Sequence, residues 1–336
     1  MSRSTRPFRR LLVLSAVAPL LALAGCGGSA STSTAPAGSS SATGSAGSAS
    51  SAASSGASAV AETATFPVTV QVGNGPVTIA AEPKAIVSLS PSATEMLYAI
   101  GAGGQVKAVD DQSSYPAQAP RTKLSGFQPN AEAVAGYAPD LVVVSSDANG
   151  LVAALTKLKL PVLVLPAPND LEASYAQELA LGTATGHPNQ ARTTIDETKR
   201  RIDAAVAAVP KAATPAKVYH ELDQTYYSVT STTFIGSLYA KFGLKNIADA
   251  ATKSAGGYPQ LSGEFVLSAA PDLIVLADSK CCQQTPQAVA KRAAFTSLPA
   301  VKSGRVIAVD DDIASRWGPR VADFAEMIAR ALGAKI

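Results

Sequence analysis

The sequence predicts an α/β protein of two doubly wound lobes joined by one long helix. Three observations predict it. Apolar, strand-like runs alternate with helical stretches from Ala85 onward, which is the pattern of parallel sheets covered by helices on both faces. One segment occurs twice: Glu132-Ala133-Val134, three residues, then Ala138-Pro139-Asp140-Leu141-Val142-Val143 returns 132 residues later as Glu264-Phe265-Val266, three residues, then Ala270-Pro271-Asp272-Leu273-Ile274-Val275. Between the copies, Asn189 to Val209 reads as one helix through Ala191, Ile195, Ile202, Val206 and Val209. At 1.5 Å per residue, about 20 residues span about 30 Å, enough to bridge two domains.

The first 25 residues are a targeting segment. Arg3, Arg6, Arg9 and Arg10 form a basic region, and Leu11 to Ala24 an apolar run too short to span a bilayer. The run ends in Leu23-Ala24-Gly25-Cys26, a pattern similar to a bacterial lipoprotein signal, in which Cys26 is acylated; an ordinary secretory signal with an incidental Cys is the alternative. From Gly27 to Ala61 the chain is almost entirely Ser, Ala, Gly and Thr, so residues 26–64 read as a lipidated Cys and a disordered tether with a reach of about 30–35 Å.

Val68 to Val72 and Val77 to Ile79 flank Gly73-Asn74-Gly75 as a β-hairpin. Ala85 to Leu89 is a buried strand that runs into a helix announced by Ser90, Pro91 and, in its first turn, Glu95. Strands follow at Val106–Val109, Leu141–Val144 and Val162–Leu165, closing an N-terminal lobe over 65–188. After the connector at 189–209, a C-terminal lobe over 210–336 restarts the pattern. It holds a strand at Val218–Leu222, a helix from Thr232 to Phe242, the second repeat copy, a strand at Val306–Val309 and a helix from Val321 to Leu332. In each copy a helix starts near the Glu, Pro139 or Pro271 bars its continuation, and an apolar strand follows.

Composition excludes several function classes. Loss of the four leader arginines takes the formal charge from +3 to −1, and with 5% aromatics the mature chain carries no electrostatic footprint for nucleic acid. No Gly-x-Ser-x-Gly elbow, phosphate-binding glycine loop or Cys-x-x-Cys pair occurs, and the only histidines are His187 and His220. His187, beside Pro188, reads as a surface residue, and His220 as a packed residue of a strand. The chain is read as a binding protein and not an enzyme, with no cofactor and no metal site. Cys281 and Cys282 are adjacent. Either they form a vicinal disulfide, strained because neighbouring Cα atoms lie about 3.8 Å apart, or they remain two thiols.

Several motifs fall in an order that resembles a known family: Ala85-Ile86-Val87-Ser88-Leu89-Ser90-Pro91-Ser92-Ala93-Thr94-Glu95, Tyr115-Pro116, Gly126-Phe127-Gln128, and both Glu-to-Pro-Asp-Leu repeats. From Phe66 to Leu332 the chain looks like the substrate-binding lipoproteins of ABC importers for iron complexes and vitamin B12. The resemblance implies two Rossmann-like lobes joined by a rigid helix, ligand in the cleft between them, and modest closure. It also implies a lipid-anchored monomer on the extracytoplasmic face of the cell membrane, delivering its ligand to an ABC permease dimer. One surface Glu on each lobe would dock on permease arginines, and Glu132 and Glu264 match those positions. Asn130 and Ser262 also read as helix N-caps, beside which a Glu complements the helix dipole.

Loops at the carboxyl ends of the strands would line the cleft. The candidates are Ser90, Gln112, Tyr115, Phe127 and Gln128 in the first lobe, and Tyr226, Tyr227, Tyr258, Arg316, Trp317 and Arg320 in the second. Of Tyr226 and Tyr227, an extended chain would aim only one into the cleft. Arg316 has an alternative in a salt bridge to Asp310, Asp311 or Asp312. Aromatics with arginines suit an anionic ferric siderophore or haem. The N-terminal hairpin also looks like the iron-complex branch of the family, so an iron complex is the expected ligand. Cobalamin is the alternative ligand, and a non-transport scaffold lipoprotein of the cell envelope the alternative role.

Overall fold

The computed structural model describes residues 64–212, 214–251 and 256–336, all within one compact unit that spans Ala59–Ile336. The signal segment, Cys26 and the tether up to residue 63 lie outside the described residues.

The hairpin comes first, as strands β1 (Val68–Val72) and β2 (Gly75–Ile79), antiparallel with Val72 opposite Gly75. Its turn does more than reverse the chain. Gly73 N–H donates to Val164 O at 2.8 Å, and the Asn74 amide both donates to Val162 O and accepts Val164 N–H at 3.0 Å. The turn thereby satisfies the edge of the first large sheet.

That sheet holds β3 (Ile86–Leu89), β4 (Val106–Val109), β5 (Leu141–Val144) and β6 (Val162–Val164), all parallel in the order β4-β3-β5-β6. Helices α1 (Pro91–Ala99), α2 (Ala131–Ala135) and α3 (Leu151–Lys157) connect its strands. Next come α4 (Leu171–Thr185) and α5 (Pro188–Ala208), separated by Gly186 in the left-handed region, at φ 85°.

The second sheet holds β7 (Lys217–Glu221), β8 (Lys245–Asn246), β9 (Leu273–Leu276) and β10 (Val306–Ala308), in the order β10-β9-β7-β8. Its helices are α6 (Phe234–Lys241), α7 (Gly263–Ala269), α8 (Pro286–Ala290), α9 (Pro299–Lys302), α10 (Asp311–Ser315) and α11 (Val321–Ala331). The two sheets share one topology. In each, the first strand lies between the second and third, and the fourth lies outside the third.

Both sheets are buried on both faces, and alternate residues feed different cores. In the first sheet Ile86, Leu141 and Val143 enter one core, while Val87, Val142 and Val144 enter the other. In the second, Val218, Leu273 and Val275 oppose Tyr219, Ile274 and Leu276 in the same way. Leu179 of α4 and Trp317, between α10 and α11, pack on a core of each lobe. The 21-residue α5 packs along α4 and α11, and Arg201 ties it to α11 through Asp323 and Glu326, each at 2.7 Å.

The repeated segment now has a physical explanation. Asn130 Oδ1 accepts Ala133 N–H at 2.9 Å and Ser262 Oγ accepts Phe265 N–H at 3.1 Å, so both short helices start on a side-chain cap. The helices stop before the prolines: Ala138 and Ala270 turn the chain in the left-handed region, at φ 47° and 51°. Asp140 then accepts Lys84 N–H at 2.7 Å and Ala85 N–H at 3.0 Å, and Asp272 accepts Lys217 N–H at 2.9 Å. Each Asp thus holds the start of the lobe's first strand against its third.

Candidate functional site

The site is built at the carboxyl ends of the strands, where loops of both lobes converge. Ser90 is not at its surface. It is 1% exposed, caps α1 by accepting Ala93 N–H at 3.3 Å, and does so at the end of β3.

Phe127 stands at the opposite extreme, 80% exposed. Its loop lies flat on the end of β3: a Cβ on Gly126 would come within 2.6 Å of Leu89 O and 2.8 Å of the Asp110 carboxylate. Only glycine permits that approach. Gln128, next in line, is exposed, with its N–H on Ser125 Oγ at 3.1 Å.

In the second lobe, residues 227–230 run antiparallel to 257–260 beyond β7. Thr230 N–H donates to Gly257 O at 2.8 Å and Ser228 N–H to Pro259 O at 2.9 Å, which fixes Tyr258 between two held residues. Tyr258 is 42% exposed and Tyr227 40%, and partial burial pushes the Tyr258 phenol above its usual range. Tyr226 takes the left-handed region at φ 70°, and its ring packs toward Phe295 and under Arg292. One tyrosine of the pair packs and the other is open, and the left-handed backbone at Tyr226, not an extended chain, separates them.

Of the seven exposed large hydrophobic side chains among the described residues, four are Tyr115, Phe127, Tyr227 and Tyr258. Open aromatic side chains of this kind are the type that lines a ligand cleft where they cluster.

The arginines behave differently from the sequence expectation. Arg316 and Arg320 meet a carboxylate, but it is the protein's own. Glu95 of α1, with its side chain 1% exposed, takes Arg316 Nη1 on Oε1 at 3.0 Å and Arg320 Nε on Oε2 at 2.9 Å. Arg316 also donates to Gln112 O at 2.8 Å and to Asp312 Oδ1 at 2.7 Å, so the Asp312 alternative holds together with the Glu95 pair. The Arg320 guanidinium lies 4.2 Å from the centroid of the Tyr115 ring, a cation–π contact that covers one face of that ring. Their side chains are only 10% and 17% exposed.

Trp317 joins the same junction. Its N–H donates to Ser92 Oγ at 3.3 Å, its indole to Gln177 Oε1 at 3.1 Å, and its carbonyl accepts Ser174 Oγ. These bonds and its packing on both lobes' cores make it a floor residue of the junction. A cavity of roughly 400 Å³ beside this floor brings together Glu95, Tyr98, Tyr115, Arg201 and Arg320, and includes none of Phe127, Gln128, Tyr227 or Tyr258.

Glu95 was legible only as an acid early in a helix. Its real partners stand more than 200 residues away, and no local pattern connects them. Ser92, Ser114, Ser174 and Gln177, which complete the junction, carry no sequence signal for the same reason. His220 is packed: fully buried, with Nδ1 2.6 Å from the Tyr239 hydroxyl, and burial lowers it to about 3. His187 is half-buried at the start of α5, with Nδ1 2.8 Å from Thr185 O.

Glu132 and Glu264 are exposed in the first turns of α2 and α7, at equivalent points of the two lobes. The backbone at Glu264 and the Ser262 hydroxyl hold the Glu264 carboxyl below its usual range, so it stays ionised. Cys281 and Cys282 form a disulfide in the loop after β9.

A family model described as Periplasmic binding protein matches residues 86–313, from the first residue of β3 into α10. The chain belongs to that family. A cobalamin-binding protein of Halobacterium salinarum is 31% identical over 276 residues, which cover 79% of this chain and 74% of that one. An uncharacterized ABC transporter substrate-binding lipoprotein of Bacillus subtilis is 31% identical over 278 residues, covering 80% and 86%. Among solved structures, a possible iron-binding (periplasmic solute-binding) protein from Staphylococcus epidermidis superposes with a TM-score of 0.65 at 25% identity, over 75% of this chain and 100% of that one.

This periplasmic binding protein is therefore a solute-binding component of the ABC-importer type, from an extracytoplasmic family of binding proteins and not of enzymes. No described helix is long and apolar enough to cross a membrane.

Proposed function

We propose that this protein captures a cobalamin-like corrinoid between its lobes and delivers it to an ABC permease. The observation that carries this reading is the division of labour at the cleft. Aromatic side chains are left open on both lobes, while the two arginines that would have met an anionic ligand are spent on Glu95. A surface of aromatics whose neighbouring arginines are already paired suits a large ligand with broad apolar faces and little net charge. It does not suit the carboxylates of haem or of an anionic siderophore. Sequence relatives named as cobalamin-binding support the same choice.

An iron complex is the second reading, and two observations favour it. They are the N-terminal hairpin on the first lobe and the likeness to the possible iron-binding protein from Staphylococcus epidermidis.

In either case the lobes are residues 65–188 and 210–336, and 189–209 is the connector. The protein works as a monomer held on the membrane by lipid on Cys26. Phe127, Gln128, Tyr115, Tyr227 and Tyr258 contact the ligand. Glu132 and Glu264 dock on the permease dimer, supported by their exposure at matching helix starts. Exposed ion pairs contribute only about 0.2–1 kcal/mol each, so they set orientation more than affinity.

The test is equilibrium dialysis of the purified chain against cyanocobalamin, haemin and a ferric hydroxamate. Saturable one-to-one retention of cyanocobalamin is expected. Retention of haemin or the ferric hydroxamate with none of cyanocobalamin would replace this reading by the second.

A further inference from the structure

The disulfide between Cys281 and Cys282 has no part in the ligand contacts proposed above. Cys281 is exposed and Cys282 half-buried, in the loop that leaves the carboxyl end of β9. The backbone of this loop is tied to α10. Cys281 N–H donates to Asp311 Oδ2 at 2.7 Å and Lys280 N–H to Asp311 Oδ1 at 2.9 Å. Lys280 Nζ binds Asp312 Oδ2 at 2.6 Å. Asp312 in turn accepts Ser114 Oγ of the first lobe at 2.8 Å and Arg316 at 2.7 Å, and Arg316 holds Glu95. A short line of charge-assisted bonds thus leads from the cysteine pair to the junction of the lobes.

We infer that Cys281–Cys282 is a thiol–disulfide exchange site, with a dithiol reductant as its co-substrate, whose oxidation state sets how tightly the lobes are joined. A thiolate of the reductant attacks the exposed Cys281 sulfur. The bond between the cysteines breaks, and the Cys282 thiolate leaves and takes a proton. The second thiol of the reductant then attacks the mixed disulfide, departs as a cyclic disulfide, and Cys281 takes the second proton. Two electrons and two protons pass to the protein, and exposed disulfides are the class that such reductants reach.

Once reduced, the two sulfurs part to non-bonded contact. Because the cysteines are adjacent, that movement is absorbed by the torsions between them and their neighbours. The Cys282 amide, on Asp278 O at 3.2 Å, lies between the cysteines and the Cys281 and Lys280 amides lie just before it, so the bonds to Asp278 and Asp311 are the first to loosen. The Lys280–Asp312 pair and the Arg316 contact follow. Trp317, beside Arg316 and the only Trp in the chain, reports the change without any ligand.

The experiment compares the oxidised chain with the same chain treated with dithiothreitol, and with the Cys281→Ser/Cys282→Ser variant. Reduction is expected to expose the two thiols of Cys281 and Cys282, to shift Trp317 emission to the red, and to speed amide exchange in residues 314–318 about tenfold. Reoxidation should reverse all three, and the double variant should show the reduced signature without reductant. The inference is overturned if dithiothreitol releases no thiols from the folded chain, or if the reduced chain matches the oxidised one in emission and exchange. Should the variant fail to fold, reduction of the unaltered chain decides alone. No ligand is involved, so the result stands apart from the corrinoid reading.

Discussion

Glu95 and Arg320 clasp the two lobes together. The Glu95 carboxylate, buried on α1, receives Arg320 Nε on one oxygen and Arg320 Nη2 on the other, while Arg316 shares the second oxygen. One acid of the first lobe thereby binds two bases of the second, and Asp312 supplies the other negative charge to Arg316. Removing one partner of a buried ion pair leaves an unpaired charge and costs about 3–5 kcal/mol. Glu95→Gln is expected to lower stability by that order in urea unfolding, more than Glu326→Gln, which breaks a more exposed contact of Arg201. A Glu95→Gln cost under ~1 kcal/mol would mean that the junction does not hold the lobes.

Ala138 and Ala270 occupy the left-handed region at the same point of the two repeat copies. There a Cβ costs roughly 1–2 kcal/mol, against about 0.5–1 kcal/mol of extra chain entropy for glycine. Ala138→Gly and Ala270→Gly should therefore each raise the melting temperature slightly, while Ala180→Gly, inside α4, should lower it. Calorimetry of the three variants checks the sign.

The repeat shows how far a sequence reaches. Its Ala-Pro-Asp-Leu core was legible because every part acts within a few residues or on the adjoining strand: a cap, a turn, a bar to helix, a buried run. The order of strands and helices was legible for the same reason, since a short continuous apolar run between helical stretches is a local signal of a strand buried on both faces. The fate of Arg316, Trp317 and Arg320 was not. Arginines near an aromatic at a strand end look the same whether their carboxylate comes from a ligand or from Glu95, far away in the chain. Ser90 misled for a related reason, because a hydroxyl that caps a helix at a cleft is indistinguishable in sequence from one that faces a ligand.

Stability should fall as pH rises from 5 to 8. Burial, aided by the nearby Glu221 charge, raises Asp278 to about 7, and burial raises Glu178 to about 8. Neither Asp278 oxygen has a hydrogen-bond partner among the described residues. Both acids bind protons more readily folded than unfolded. Their contribution is full below about pH 4 and is lost as pH rises through their folded values. His220 runs the other way: lowered by burial to about 3, its contribution is full above about 6.5 and is lost as pH falls toward 3. Two acids outweigh one base over pH 5–8. Asp278→Asn with Glu178→Gln should flatten the profile and add about 1–3 kcal/mol at pH 8. A melting temperature that climbs across this window in the unaltered chain would contradict the assignment.

Charge reversal at the docking residues should separate transport from binding. Glu132→Arg with Glu264→Arg is expected to abolish uptake in cells while leaving ligand affinity within about twofold, since both side chains lie in the exposed first turns of α2 and α7. Uptake assays beside calorimetric titration read the two effects. Weakened binding in vitro would place these residues at the ligand instead.

Phe127 and Tyr258 make the sharpest claim, that an aromatic from each lobe holds the ligand. Truncation of a central aromatic contact costs about 2 kcal/mol, or roughly 30-fold in affinity. The decisive measurement is calorimetric titration of cyanocobalamin into the unaltered chain, Phe127→Ala and Tyr258→Ala. Tight one-to-one binding that weakens by about that factor in each variant is the predicted result; binding that neither substitution changes, or none at all in the unaltered chain, would contradict it.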